Sequence, residues 1–280
     1  MNNLFKIVMM ISLIVISFSC RSQDNLRALH WIKGPSTVQL ASVASLSLPK
    51  GYAFLEPPDS EKFLTLEQNI PTPDTYILVN EDSNWFAIFS FNPIGFVKDD
   101  ETIDASKIFE SVKSGTESAN EERKKRGWPT MSLVGWEFEP RYDRNNKRLE
   151  WAFLGKDDQT NQDVANFNTR ILGRTGVMNI VLVDNPSKLN SSIEKLNDVL
   201  SSFSFDAGQQ YSQYKPGDKV YKYGLAALIL GGAAAVATQK GFWAILAGAM
   251  AAAWKAIAVA FAALVGWMRS LFRKKSGTKK

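Results

Sequence analysis

Residues 148–183 read RLEWAFLGKDDQTNQDVANFNTRILGRTGVMNIVLV, and this stretch decides the fold. It holds three runs rich in β-branched and aromatic residues, at 148–154, 164–172 and 177–183, parted by turn-forming sequence. Leu172-Gly173-Arg174-Thr175-Gly176 carries the glycines of a tight turn between the last two runs. Connections this short join antiparallel neighbours, because parallel strands need a long crossover. Within the middle run Asn166, Asn168 and Arg170 alternate with Phe167, Thr169 and Ile171. The pleat sends the two sets to opposite faces, so the spacing predicts one packed face and one open polar face. Glu150 joins that polar face if its strand pairs alongside.

Outward from this hairpin stack the same signals recur. Upstream strands are expected at 36–42, 52–55, 75–79, 85–91 and 131–138, with Pro49-Lys50-Gly51 and residues 80–84 as turns. A short helix is expected at 59–68, after Pro57-Pro58. Two principal helices are clearer. Residues 104–126 place Ile108, Val112 and Ala119 on one stripe, with Glu121–Lys125 and Glu122–Arg126 as i,i+4 pairs, and stop at Gly127 and Pro129. The second opens at Asn185-Pro186, a cap followed by a first-turn proline, and repeats Leu189, Ile193, Leu196, Leu200 and Phe203. The fold class is therefore α+β: a mainly antiparallel sheet with two principal packed helices in a body spanning 25–210, plus a C-terminal transmembrane helical segment.

Charge divides the chain. Its 33 Lys+Arg and 28 Asp+Glu give a net +5, yet all 28 acids and only 23 of the bases lie in 21–220, a net −5. The last 60 residues hold nine bases and no acid. A basic average made in this way excludes a nucleic-acid-binding body and points to a membrane end. Residues 1–20, MNNLFKIVMMISLIVISFSC, have the basic start, short apolar run and small-residue end of a signal peptide. Cys20, the chain's single cysteine, is the candidate lipidation site. Ser17-Phe18-Ser19-Cys20 resembles a lipoprotein signal, although Ser17 and Phe18 stand where Leu and a small residue are usual. The alternative is an ordinary signal peptide cut nearby.

At the other end, 211–223 reads as a polar stalk and 224–238 as a short apolar interfacial helix, too short to span. Residues 241–268 read as a transmembrane helix, with Lys255 snorkelling and Gly248, Ala251, Ala252 and Ala256 offering a close-packing face. Residues 269–280 carry six bases and form a cytoplasmic tail by the positive-inside rule. This topology places the chain in a bacterial inner membrane with its body outside. The expected partners are the bilayer and either an envelope protein or a second copy through the transmembrane helix.

Six stretches recur in a familiar order: VQLASVASLSLPKGYAFL after Gly34-Pro35, GFVKDDETIDA followed by GTESANEERKKRGWP, VGWEFEPRYD, RLEWAFLG, NFNTRILGRTGVM and DKVYKYGLAALILGG. Over about 34–232 the chain resembles a bacterial family of predicted membrane-anchored proteins, domain of unknown function (DUF) 2167. The resemblance implies a signal-bearing, membrane-anchored extracytoplasmic domain, and no activity, substrate or catalytic residue.

The chemistry is sparse. One His and one Cys leave little material for a metal or Cys/His centre. No cofactor loop, metal-ligand spacing or catalytic set is legible. His30 reads as a surface residue. Asp99, Asp100, Glu101 and Asp104 suit a helix N-terminus better than a calcium loop, lacking its spacing. Glu137, Glu139, Asp143 and Glu150 are the carboxylates available for glycan hydrolysis. The candidate binding residues are Asn168, Arg170 and Glu150. As members of an exposed recognition face, Asn168 and Arg170 are expected to contribute little to stability. Two functions follow: a non-enzymatic, membrane-anchored partner- or ligand-binding module, or an envelope hydrolase using paired carboxylates on a glycan.

Overall fold

A computed structural model of the chain describes residues 22–83 and 85–230. Cys20, the signal segment, most of 224–238, the apolar run 241–268 and the basic tail lie outside the described residues. Among the described residues no helix is long and apolar enough to cross a membrane.

The chain opens with α1 (Ser22–Arg27), then β1 (Ile32–Lys33), β2 (Ser36–Leu40), β3 (Ala44–Leu48) and β4 (Tyr52–Leu55). There follow α2 (Asp59–Leu66), β5 (Thr75–Asn80), β6 (Phe86–Asn92) and α3 (Ala105–Lys125). Four strands come next: β7 (Met131–Asp143), β8 (Arg148–Asp157), β9 (Asp163–Leu172) and β10 (Val177–Asp184). The described chain ends with α4 (Leu189–Leu200), β11 (Ser204–Phe205) and α5 (Leu225–Ile229). The α+β class with a mainly antiparallel sheet therefore holds.

Eight strands form the main sheet in the order β1-β4-β5-β6-β10-β9-β8-β7, every pair antiparallel. It consists of two meanders joined at the β6–β10 seam. Since β6 lies at the seam and β7 at the far edge, α3 carries the chain between them. Its stripe seals that passage: Ile108, Val112 and Ala119 are all buried. Glu122 pairs with Arg126 as the spacing predicts, while Glu121 takes Lys124 one position nearer.

A second, three-stranded sheet in the order β11-β3-β2 was not legible in the sequence. The main sheet is consequently sandwiched. One face packs on α2, α3 and α5 through Phe63, Leu64, Ile108, Val112, Leu225 and Ile229. The other packs on α4 and the small sheet through Leu196, Leu200, Val38, Leu46 and Phe205. Asn185 caps the turn into α4, its side chain accepting the Ser187 N–H at 2.9 Å. Buried apolar area on both faces is the main stabilising term for such an arrangement.

The edge strand β7 breaks register three times, between residues 133 and 135, 136 and 138, and 138 and 141. These irregularities swing Trp136 to one face, stacked 4.6 Å from Phe153, and Phe138 to the other, 5.8 Å from Phe167. They also roughen an edge that otherwise offers unpaired backbone to another strand.

Candidate functional site

The polar row of β9 alternates as the pleat requires, but the open face expected for it is a buried one. Arg170 and Asn168 are each 7% exposed and Asn166 is 2% exposed. The reason is position: β9 lies inside the sheet between β10 and β8, and this face is roofed by helices. The Arg170 guanidinium sits 4.7 Å above the Trp151 ring, and its Nη1 donates to the Thr169 and Ile180 carbonyls at 3.1 and 3.4 Å. Among the described residues no carboxylate pairs with it. Burial pushes its pKa down to about 9. Asn168 turns its amide to the Asn166 carbonyl at 3.0 Å. The expected recognition face is corrected: both side chains belong to the interior.

Glu150 stands on the opposite face. β8 does pair with β9, but Arg170 faces Leu149, which puts Glu150 opposite Thr169. There it accepts from Arg141 at 3.0 Å and Arg148 at 2.8 Å, and Arg148 reaches on to Asn197 of α4 at 2.8 Å. The carboxylate is an acceptor clamped by two guanidinium groups. Glu137 and Glu139 are exposed on β7. Asp143 closes a turn by accepting from the Asn145 and Asn146 backbones and the Asn146 amide, which hold its pKa low.

The acidic cluster before α3 is drawn apart. Asp99 accepts from the Tyr142 hydroxyl and from Lys147, each at 2.9 Å. Burial opposes its ionisation, but bonds from Lys147, Tyr142 and Tyr211 outweigh that and hold its pKa below the ordinary range. Burial, and then Asp99, raise the Tyr142 and Tyr211 pKa values. Glu101 instead accepts the Ala226 N–H at 2.9 Å, at the head of α5. Among the described residues no three His, Cys, Asp or Glu side chains are arranged to hold a metal ion. His30 is a surface residue, 94% exposed, with Nδ1 2.7 Å from the buried Asp59 carboxylate. Lys62 and then His30 hold the Asp59 pKa down by hydrogen bonding.

A cavity of about 420 Å³ lies between the β5–β6 turn and α4. Its lining is bonded to itself. Asp184 accepts from Ser192 at 2.6 Å and from the Asn185 N–H at 2.7 Å, and Lys195 donates to Ser83 at 3.1 Å. The Trp85 indole N–H has no partner among the described residues, but that atom is itself sealed from the cavity space.

The segment after β11 is the feature sequence reasoning missed. Residues 208–224 form a strap bound along the body rather than a free stalk. Arg174, in the β9–β10 turn, grips Asp218 with two bonds of 2.7 Å, and this pairing brings the Asp218 pKa down to about 2. The Phe96 N–H donates to the Lys219 carbonyl and the Tyr221 N–H to the Phe96 carbonyl, both at 2.8 Å. The Phe96 ring lies between Tyr211 and Tyr214, with centroids at 4.5 and 4.2 Å. Gly95 permits the approach: its φ is +103°, and a methyl group there would stand 2.5 Å from the Lys219 carbonyl. The start of the segment read as an interfacial helix, α5, is buried in the body's core through Leu225, Leu228 and Ile229. Its sequence signal, apolar residues after a polar run, cannot separate a core helix from a membrane one.

Among solved structures, the solution structure of cyanobacterial PsbP (CyanoP) from Synechocystis sp. PCC 6803 is similar at 9% identity. The match covers 61% of this chain and 92% of that one, with a TM-score of 0.38. No curated protein matches the chain. The model of the family described as "Protein of unknown function (DUF2167)" matches residues 32–265, far more than half of the chain. The chain therefore belongs to the DUF2167 family.

Proposed function

We propose that this protein is a membrane-anchored bacterial envelope module that binds a partner or ligand without catalysing a reaction. The observation that carries this reading over the hydrolase one is the setting of Glu150. A glycan hydrolase needs one carboxyl group free to donate a proton and a second facing it across the scissile bond. Glu150 is clamped between Arg141 and Arg148, and Asp143 is occupied by its own turn. Both are employed as structural acceptors.

The anchoring half of the reading rests on the signal-like start, the apolar run 241–268 and the six bases after Met268. Cys20 acylation would add a second, weaker attachment. Reporter fusions test the topology: a fusion at residue 210 is expected to be active only when exported, and one at Lys280 only in the cytoplasm. Crosslinking in cells followed by capture of the intact complex tests the binding. Release of soluble fragments from purified envelope glycan by the wild type, lost in Glu150→Gln, would establish the hydrolase reading instead.

A further inference from the structure

We infer that the body lies directly on the bilayer surface through an aromatic and basic patch built by the strap and the 93–101 loop. Its occupant is the phosphate layer of anionic lipid headgroups. The inference rests on the membrane-anchored reading above.

Three observations carry it. Among the described residues the exposed large hydrophobic side chains are Val134, at 52%, and Tyr214 and Val220, at 39% and 38%. Two of these three stand on the strap and meet Phe96, Tyr214 through its ring and Val220 as a backbone bridge partner, with Tyr221 and Tyr223 half-buried in the same segment. Such amphipathic aromatic rings favour the boundary between water and lipid. Secondly, the patch carries the exposed lysines Lys98, Lys215, Lys219 and Lys222, on a body that is acidic overall. Of the acids within it, Asp218 is paired with Arg174 and Asp99 with Lys147, while Glu101 accepts the Ala226 N–H and Asp100 is exposed, so the four lysines face two carboxylates that carry no salt bridge among the described residues. These exposed lysines, Lys219 with its Nζ on the Pro93 carbonyl and Lys222 over the Tyr223 ring, keep their charge at the surface and attract anionic headgroups.

The third observation is the chain's route. From Gly224 it passes through α5, a rise of roughly 7 Å, and the sequence then remains apolar to Met268, interrupted by the short 238–240 TQK and by Lys255. No long polar linker separates the patch from the apolar run. The strap is fixed to the body by backbone bonds, ring stacking and the Arg174–Asp218 pair. The patch therefore presents a set surface, and the body is held against the lipid instead of swinging on a tether.

Cys20 is the sole cysteine, so a Cys20→Ser background accepts one reporter. The full chain carrying Val220→Cys, labelled with bimane, is reconstituted into phosphatidylcholine vesicles with phosphatidylglycerol and a headgroup-nitroxide lipid. Val134→Cys is the comparison, since Val134 lies roughly 25 Å along β7 from Tyr142, whose hydroxyl meets the patch at Asp99. Several-fold stronger quenching at 220 than at 134 is the expected result, and Lys222→Cys should repeat it. Each lysine is worth about a fivefold shift between docked and undocked body. Lys215→Glu, Lys219→Glu and Lys222→Glu together should thus remove the excess quenching at 220, while the protein still floats with the vesicles. Equal quenching at 220 and 134 in floating protein overturns the docking and leaves the anchor standing. Failure to float with vesicles overturns the anchor, and the docking with it.

Discussion

Replacing Arg170 with methionine and with alanine separates the charge of this buried side chain from its volume. Burial brings the guanidinium pKa down to about 9. At about 1.4 kcal/mol per pKa step, burial by itself costs the charge on the order of 5 kcal/mol, before its contacts are counted. Because arginine remains protonated at neutral pH, that cost is carried in full. Opposing it are the stack on Trp151, about 2 kcal/mol when desolvated, and the Thr169 carbonyl bond, about 2 kcal/mol for a charged donor. The 3.4 Å contact with Ile180 adds a fraction of that. The terms nearly cancel. Methionine keeps the stem's volume and fills irregular gaps, so Arg170→Met should change stability by no more than about 1 kcal/mol. Alanine empties the site beneath the helices and should cost about 3 kcal/mol. Urea unfolding of the full chain in mild detergent, followed by tryptophan fluorescence, measures both; at an m-value near 3 kcal/mol per molar the alanine midpoint falls by about 1 M. The reasoning is refuted if methionine costs as much as alanine, because the charge would then be held by more than the ring and two carbonyls.

Further outcomes follow from the strap and the α3 terminus. Asp218 has a depressed pKa of about 2, so its contribution is present above the ordinary carboxylate range and is lost as pH falls through that value. Hydrogen exchange at Phe96 and Tyr221 should accelerate relative to the core between about pH 4 and pH 2, and Asp218→Asn should flatten that dependence. Gly95→Ala should cost on the order of 2 kcal/mol and open residues 211–223 to protease under native conditions, since both φ and the Lys219 carbonyl exclude a methyl group. An uncut strap in Gly95→Ala would contradict this. Arg123 is 1% exposed and bonds the Pro129 and Gln68 carbonyls, fastening the end of α3 to the chain after α2. Arg123→Ala should lower stability by about 3 kcal/mol in the same urea assay. Metabolic labelling with a fatty-acid probe, absent in Cys20→Ser, is expected if Cys20 is acylated, and an unlabelled wild type ends that idea.

What the sequence determined by itself was local. Alternation in 164–172 and 177–183, turn residues such as Gly173 and Gly176, and the stripes of α3 and α4 each depend on neighbours within a few positions. Such patterns specify an element and its faces, and every main-sheet strand from β4 to β10 was legible on these grounds. They do not say what lies over a face. Arg170 and Asn168 looked solvent-facing because a polar row on a strand is usually the wet side. Only the tertiary structure roofed that row with α2, α3 and α5 and made the guanidinium an interior group. The same limit governed Glu150: pairing of β8 with β9 was foreseeable, but a one-residue difference in register decides the face, and nothing local sets it. The small β11-β3-β2 sheet and the strap joined residues far apart in sequence, as in the grip of Arg174 on Asp218. Polar composition at 211–223 was compatible with a free stalk and with a docked segment alike. The choice was made by partners at Arg174, Gly95 and Phe96, whose positions exist only once the sheet has formed.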